Sequence, residues 1–120
     1  MKKICIVDDE VLIGEILAGY LSDDYEVKLF DDSRKAKPHL LENNYDIVIS
    51  DIKMPGITGL ELLAAVREVN PNCRFILMSG HGDNDVEVLN LIKEPYTEFL
   101  PKPFESLDDI DEAIKTLLNK

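Results

Sequence analysis

No stretch of this 120-residue chain is apolar for the ~20 residues that a membrane-crossing helix needs, which excludes a helical membrane span. Basic residues are scarce: 13 Lys and Arg stand against 24 Asp and Glu, a formal net charge of -11. That balance argues against nucleic acid as a partner, because phosphate contacts need Lys and Arg, and it is compatible with binding a cation. Cysteine is nearly absent. Cys5 falls in an expected strand and Cys73 in an expected turn, and neither belongs to a paired spacing, so a disulfide framework is excluded. Two reduced thiols point to a cytoplasmic protein. The first residues run straight into a strand, so no signal peptide is expected. There is no linker, internal repeat or low-complexity segment, and residues 1–120 are expected to form one domain.

What is present is an alternation of short apolar runs with helical patterns. Ile4-Cys5-Ile6-Val7 reads as a buried strand, followed by Leu12, Ile13, Ile16, Leu17, Tyr20 and Leu21 at helical spacing. Residues 25–30 alternate as an edge strand would. A helix over about 33–43 follows, with Pro38 expected to interrupt it or to sit in its first turn. Residues 46–50 form a third strand, and Thr58-Gly59-Leu60-Glu61 is a capping-box pattern that opens a helix through Val69. Residues 75–79 and 99–101 supply the fourth and fifth strands, with a helix over about 84–94 between them. Ser106-Leu107-Asp108-Asp109 opens the last helix, which carries Leu107, Ile110, Ile114 and Leu117 on one face. Fully apolar strands between amphipathic helices predict an α/β fold: a single doubly wound, five-stranded parallel sheet of (βα)5 type, covered on both faces.

In such folds the crevice beyond the carboxyl ends of the strands is where chemistry is done. Strand one ends in Asp8-Asp9-Glu10, strand three in Asp51, strand four in Ser79 and strand five in Lys102. Two carboxylates about 4 Å apart repel by roughly 4 kcal/mol at an effective dielectric of about 20, so such a cluster calls for a compensating cation. Oxygen-only ligands suit Mg²⁺ or Mn²⁺ and do not suit zinc. Each piece has a plainer reading by itself. Asp-Asp-Glu also makes a good helix N-terminus, Ser79 is an ordinary turn residue, and Lys102 is ordinary solvated surface. Their conjunction at the strand ends is what points to a site.

Val7-Asp8-Asp9-Glu10, Asp51 with Met54-Pro55-Gly56 and Gly59, Ser79-Gly80, and Lys102-Pro103-Phe104, in this order and spacing, give a chain that resembles the receiver domains of response regulators, the CheY-like phosphoacceptor family. The resemblance covers nearly the whole chain and implies the flavodoxin-like strand order 2-1-3-4-5. It implies a role in two-component signal transduction, with Asp51 taking a phosphoryl group from a histidine kinase or a histidine phosphotransfer protein. Asp9 and Asp51 would ligate Mg²⁺ directly, Asp8 largely through water, and Lys53 through its backbone carbonyl. Lys102 and Ser79 would contact phosphoryl oxygens. Ser79 and Phe99 would form the switch that remodels the face made by the helix over 84–94, the fifth strand and the last helix. The resemblance also implies a cis Lys102-Pro103 bond, and a monomer or a phosphorylation-dependent dimer. Any enzymatic activity would be confined to the domain's own phosphorylation and dephosphorylation.

The chain departs from the family in several places. In receivers the side chains two positions after the phosphoacceptor and after the strand-four hydroxyl border the approach of attacking water, so the resemblance makes Lys53 and His81 candidates for tuning dephosphorylation. The segment from Ser79 to Lys102 is about one residue longer than usual, and Glu94-Pro95-Tyr96 stands where an Ala-Gly-Ala type of turn is common. In the helix expected over 84–94, Val88, Leu89 and Ile92 should face the sheet, leaving Val86 and Leu91 outside that arc as candidate partner contacts. Phe99 has no hydroxyl, which removes a switch that depends on a tyrosine bond. Other function classes remain open. A Mg²⁺-dependent phosphatase with an aspartyl nucleophile would need a DxDxT motif after strand one. A flavodoxin-like FMN carrier would need a Ser/Thr/Gly-rich phosphate loop there. A receiver-shaped interaction module that is never phosphorylated would have no reason to keep the charge cluster.

Overall fold

The three inner strands of the sheet are runs buried on both faces. The computed structural model describes residues 1–79, 96–102 and 106–119. Among them are strands β1 (Lys3–Val7), β2 (Glu26–Phe30), β3 (Ile47–Asp51), β4 (Arg74–Ser79) and β5 (Thr97–Pro101), and helices α1 (Val11–Leu21), α2 (Ser33–Glu42), α3 (Gly59–Val69) and α4 (Asp108–Leu118). The strands form one parallel sheet in the order β2-β1-β3-β4-β5. That is the doubly wound order expected.

Alternate residues of each strand feed opposite cores, since successive strand side chains point to opposite faces. Ile4, Ile6, Ile47, Ile49, Ile76 and Met78 pack with Leu17 and Leu21 of α1 and with Ile110, Ile114 and Leu117 of α4. Cys5, Val7, Val48, Phe75 and Leu77 pack on the other face with Ala36 and Leu40 of α2 and with Leu62 and Val66 of α3. Burial pushes the Cys5 thiol up to about 12 and the Cys73 thiol up to about 11, so both are free, inert core cysteines.

The helix starts follow local chemistry. Thr58 accepts from the Glu61 N–H at 3.1 Å, and the Glu61 side chain accepts from the Thr58 N–H at 3.3 Å, completing the expected capping box of α3. Asp32 caps α2 by accepting from the Arg34 N–H at 2.9 Å.

Three features differ from the sequence expectation. Pro38 neither interrupts α2 nor sits in its first turn. It lies inside a continuous helix, where the packing of Ala36 and Leu40 outweighs the lost hydrogen bond. Helix α1 is more apolar than the sheet can cover: Leu17 and Leu21 are buried, while Val11, Leu12 and Ile16 are 49%, 72% and 52% exposed. Tyr96 takes φ +66, the left-handed region that disfavours side chains. It is held there by the Arg67 guanidinium, which donates to its carbonyl at 3.0 Å, and by Arg74, 5.3 Å from its ring centroid. The helix expected over 84–94, with Val86, Val88, Leu89, Leu91 and Ile92, lies outside the described residues. So do His81 and the Lys102-Pro103 bond. Among the described residues no helix is long and apolar enough to cross a membrane.

Candidate functional site

Four parallel strands send their carboxyl ends to one edge of the sheet. Asp8 follows β1, Asp51 ends β3, Ser79 ends β4 and Lys102 follows β5. Asp8, Asp51 and Ser79 are buried, whereas Asp9 is exposed. Single carboxylate oxygens of Asp8, Asp9 and Asp51 lie within 4.8 Å of one another. This spacing lets one small hard cation touch all three, and carboxylate oxygens are the donors that Mg²⁺ takes.

The Lys102 ammonium sits among these acids. Its Nζ is 2.7 Å from Asp51 Oδ1, 2.9 Å from Asp8 Oδ2 and 3.2 Å from Glu10 Oε1. Asp8 Oδ1 also accepts from the Glu10 N–H at 2.9 Å, which fixes the plane of the carboxylate. One buried ammonium cannot neutralise both buried acids. Burial, and then the hydrogen bond with Asp8, push the Asp51 carboxyl up to about 8, against the opposing pull of Lys102. For Lys102, burial lowers the affinity for its proton, but the bonds to Asp51 and Asp8 outweigh it and hold the ammonium above the ordinary lysine range. Lys102 therefore stays charged while the Asp51 carboxyl resists ionisation.

The loop behind Asp51 is fixed by backbone demands. Gly56 has φ +85, and its Cβ position would lie 2.8 Å from Arg34 Cδ. Gly59 is tighter still, because a methyl there would run into the Asp51 carbonyl oxygen, with Ile52 Cα only 2.9 Å away. The start of α3 thus rests directly on the backbone of Asp51, and the Gly59 N–H donates to the Ile52 carbonyl at 2.8 Å. The second glycine and the strand-end acid of the sequence pattern are two sides of one contact.

Of the residues expected at the site, Asp8, Asp9, Asp51 and Lys102 come together within ion-pairing or ligand distance. Ser79 stands at the same edge, with its carbonyl accepting the Lys102 N–H at 2.7 Å. Lys53 is exposed on the loop after β3. Phe99 is half-buried against the core that contains Cys5, Val48 and Phe75. Glu10 joins the lysine cluster without having been given a role from sequence. Its place in the run Asp8-Asp9-Glu10 was the available signal.

A model of the response regulator receiver domain matches residues 4–115. The chain belongs to this family. This receiver is 34% identical over 108 residues to the transcriptional regulatory protein MalR of Bacillus subtilis, covering 88% of this chain and 46% of MalR. It is 34% identical over 103 residues to FixJ of Bradyrhizobium diazoefficiens, covering 85% of this chain and 50% of FixJ. The receiver thus spans about half the length of these relatives, or less. Among solved structures, a receiver domain protein from Clostridium thermocellum superposes with a TM-score of 0.87 at 30% identity, over 99% of this chain and 95% of the other. The response regulator TrrA of Thermotoga maritima, solved in complex with Mg²⁺-BeF, superposes with a TM-score of 0.81 at 32% identity, over 98% of this chain and 99% of TrrA. Receiver domains of response regulators are phosphorylated by histidine kinases, and that places this chain in two-component signal transduction.

Proposed function

We propose that Asp51 is the phosphoacceptor and that Asp8, Asp9 and Asp51, with the Lys53 backbone carbonyl, hold Mg²⁺ or Mn²⁺ beside it. The observation that carries this reading is the convergence of three carboxylates within 4.8 Å at the strand ends, with Lys102 2.7 Å from Asp51. A divalent cation bound there supplies positive charge that keeps the carboxylates ionised and offsets the charge of the incoming phosphoryl oxygens. An Asp51 oxygen attacks phosphorus as the N–P bond to the donor imidazole breaks, so the phosphoryl group moves to the carboxylate and the electron pair stays on the imidazole nitrogen. Strand β3 and the Gly59 contact hold the nucleophile, so positioning is built in before the donor arrives. The Lys102 ammonium exchanges its ion pair with the Asp51 carboxylate for one with a phosphoryl oxygen, and the Ser79 hydroxyl donates to another.

The donor is a histidine kinase or a histidine phosphotransfer protein. The exposed Val11, Leu12 and Ile16 on α1, which starts immediately after the acid cluster, support docking of a protein donor. Phe99, half-buried and three residues before Lys102, is the mobile partner of Ser79 in switching the face that includes β5 and α4. Lys53 and His81 tune the rate at which water removes the phosphoryl group. Residues 1–120 act as one receiver domain in the cytoplasm, as a monomer or a dimer formed on phosphorylation. The test is intact-mass spectrometry after incubation with acetyl phosphate, with and without Mg²⁺. One phosphoryl group should be gained only with Mg²⁺ and lost in Asp51→Asn. Labelling that ignores Mg²⁺ would overturn the proposal.

A further inference from the structure

Helix α2 begins on the far side of the phosphoacceptor loop, and its first residue reaches back into that loop. Ser33 is buried, although it is polar and stands at a helix start where water usually satisfies such a group. Its hydroxyl donates to the Pro55 carbonyl at 3.3 Å and accepts from the Ile57 N–H at 3.1 Å. One side chain thus satisfies a carbonyl and an amide that lie on either side of Gly56, the residue with positive φ. Arg34 adds to the contact. Its guanidinium is held by Asp32 at 3.0 and 3.1 Å, which lays the aliphatic stem against Gly56. Met54, between Lys53 and Pro55, is buried in the core that also takes in Ala36 and Leu40 of α2.

We infer that Ser33 is a positioning residue for the cation: it fixes residues 55–57, and through them the Lys53 backbone carbonyl, in the orientation that meets the metal. This rests on the reading of the acid cluster and the Lys53 carbonyl as the cation site. The neighbours of Lys53 tie the loop down, Met54 by packing in the core and Pro55 to Ile57 by the Ser33 hydroxyl. A backbone ligand has no rotamer with which to correct an error, so its orientation is set by the loop that carries it. Partners of this indirect kind are typically worth about 10–100-fold in metal affinity.

Calorimetric titration of MgCl₂ into the unphosphorylated protein tests this without phosphorylation as a readout. Ser33→Ala should bind Mg²⁺ about tenfold more weakly than wild type. Ile114→Val, a core change in α4 on the opposite face of the sheet, controls for general destabilisation and should bind within about twofold of wild type. If Ser33→Ala binds as wild type does, the positioning role is overturned while the cation site stands. If wild type itself takes no Mg²⁺, the reading of the acid cluster fails and takes this inference with it. A second measurement does not depend on the variant folding. In wild type without Mg²⁺, the Ile57 N–H should exchange with solvent as slowly as the Leu62 N–H inside α3, because Ser33 holds it. Exchange at the rate of an unstructured loop would overturn the role of Ser33.

Discussion

Replacing Asp51 by Asn removes the carboxyl whose ionisation the cation-free site resists most. The Asp51 carboxyl is pushed up to about 8, whereas in the unfolded chain it titrates near 3.9. Between those values the folded state holds a proton that the unfolded state does not, so stability falls as pH rises from about 4 to about 8. At 1.36 kcal/mol per unit, a shift of roughly four units sets a ceiling of about 5–6 kcal/mol. Relaxation around the Lys102 ammonium reduces this, and the expected gain for Asp51→Asn at pH 8 is about 2–3 kcal/mol. Lys102 does not confuse the comparison: its raised affinity keeps it charged in the folded state, and an ordinary lysine is charged in the unfolded chain throughout this window. It also keeps Asp8 and Glu10 as partners at 2.9 and 3.2 Å, and the Asn oxygen still accepts from it. The chain has no Trp, so urea unfolding is best followed by far-ultraviolet circular dichroism in a Mg²⁺-free buffer. The advantage of the variant should shrink steadily as pH falls and vanish near pH 4. A difference independent of pH, or a variant less stable than wild type at pH 8, would refute the reasoning.

Two other substitutions probe the same edge of the sheet. Asp9→Ala relieves repulsion among the three acids and removes a cation ligand. It should raise the melting temperature of the metal-free protein and abolish the further rise that Mg²⁺ gives wild type; a Mg²⁺ response that survives would place the cation elsewhere. Gly59→Ala drives a methyl into the backbone of Asp51 and Ile52 and should cost about 3 kcal/mol or more in thermal unfolding. A loss below about 1 kcal/mol would show that α3 does not rest on the nucleophile's backbone.

Much of this arrangement was legible in the residues. The apolar runs Ile4–Val7 and 46–50 carry no polar alternation, so they had to be covered on both faces, and they are. Thr58 and Glu61 marked the start of α3 because a capping box is a local interaction. The acids at the ends of β1 and β3 and Lys102 after β5 could be brought together because parallel strands send their carboxyl ends to one edge.

The rest depended on contacts distant in sequence. Pro38 argued against a continuous α2, and only the burial of Ala36 and Leu40 overrides it. Leu12 and Ile16 fit the helical spacing as well as Leu17 does, yet the sheet covers one arc of α1 and leaves them out. No local pattern says that Tyr96 will adopt φ +66, since the two arginines that hold it come from α3 and β4. Ser33 meets Pro55 and Ile57 across more than twenty residues of chain, and nothing near it in sequence announces the bond.

The central claim is that one carboxylate, at the end of β3, receives the phosphoryl group. An acyl phosphate is reduced by borohydride to the alcohol, so a phosphorylated aspartate becomes homoserine while unmodified aspartates are untouched. The protein should be phosphorylated with acetyl phosphate and Mg²⁺, reduced, digested and sequenced by tandem mass spectrometry. The account predicts homoserine at position 51 alone, with Asp8, Asp9 and Glu10 unchanged. Homoserine at position 8 or 9, or at any residue away from the strand ends, with Asp51 intact, would contradict it.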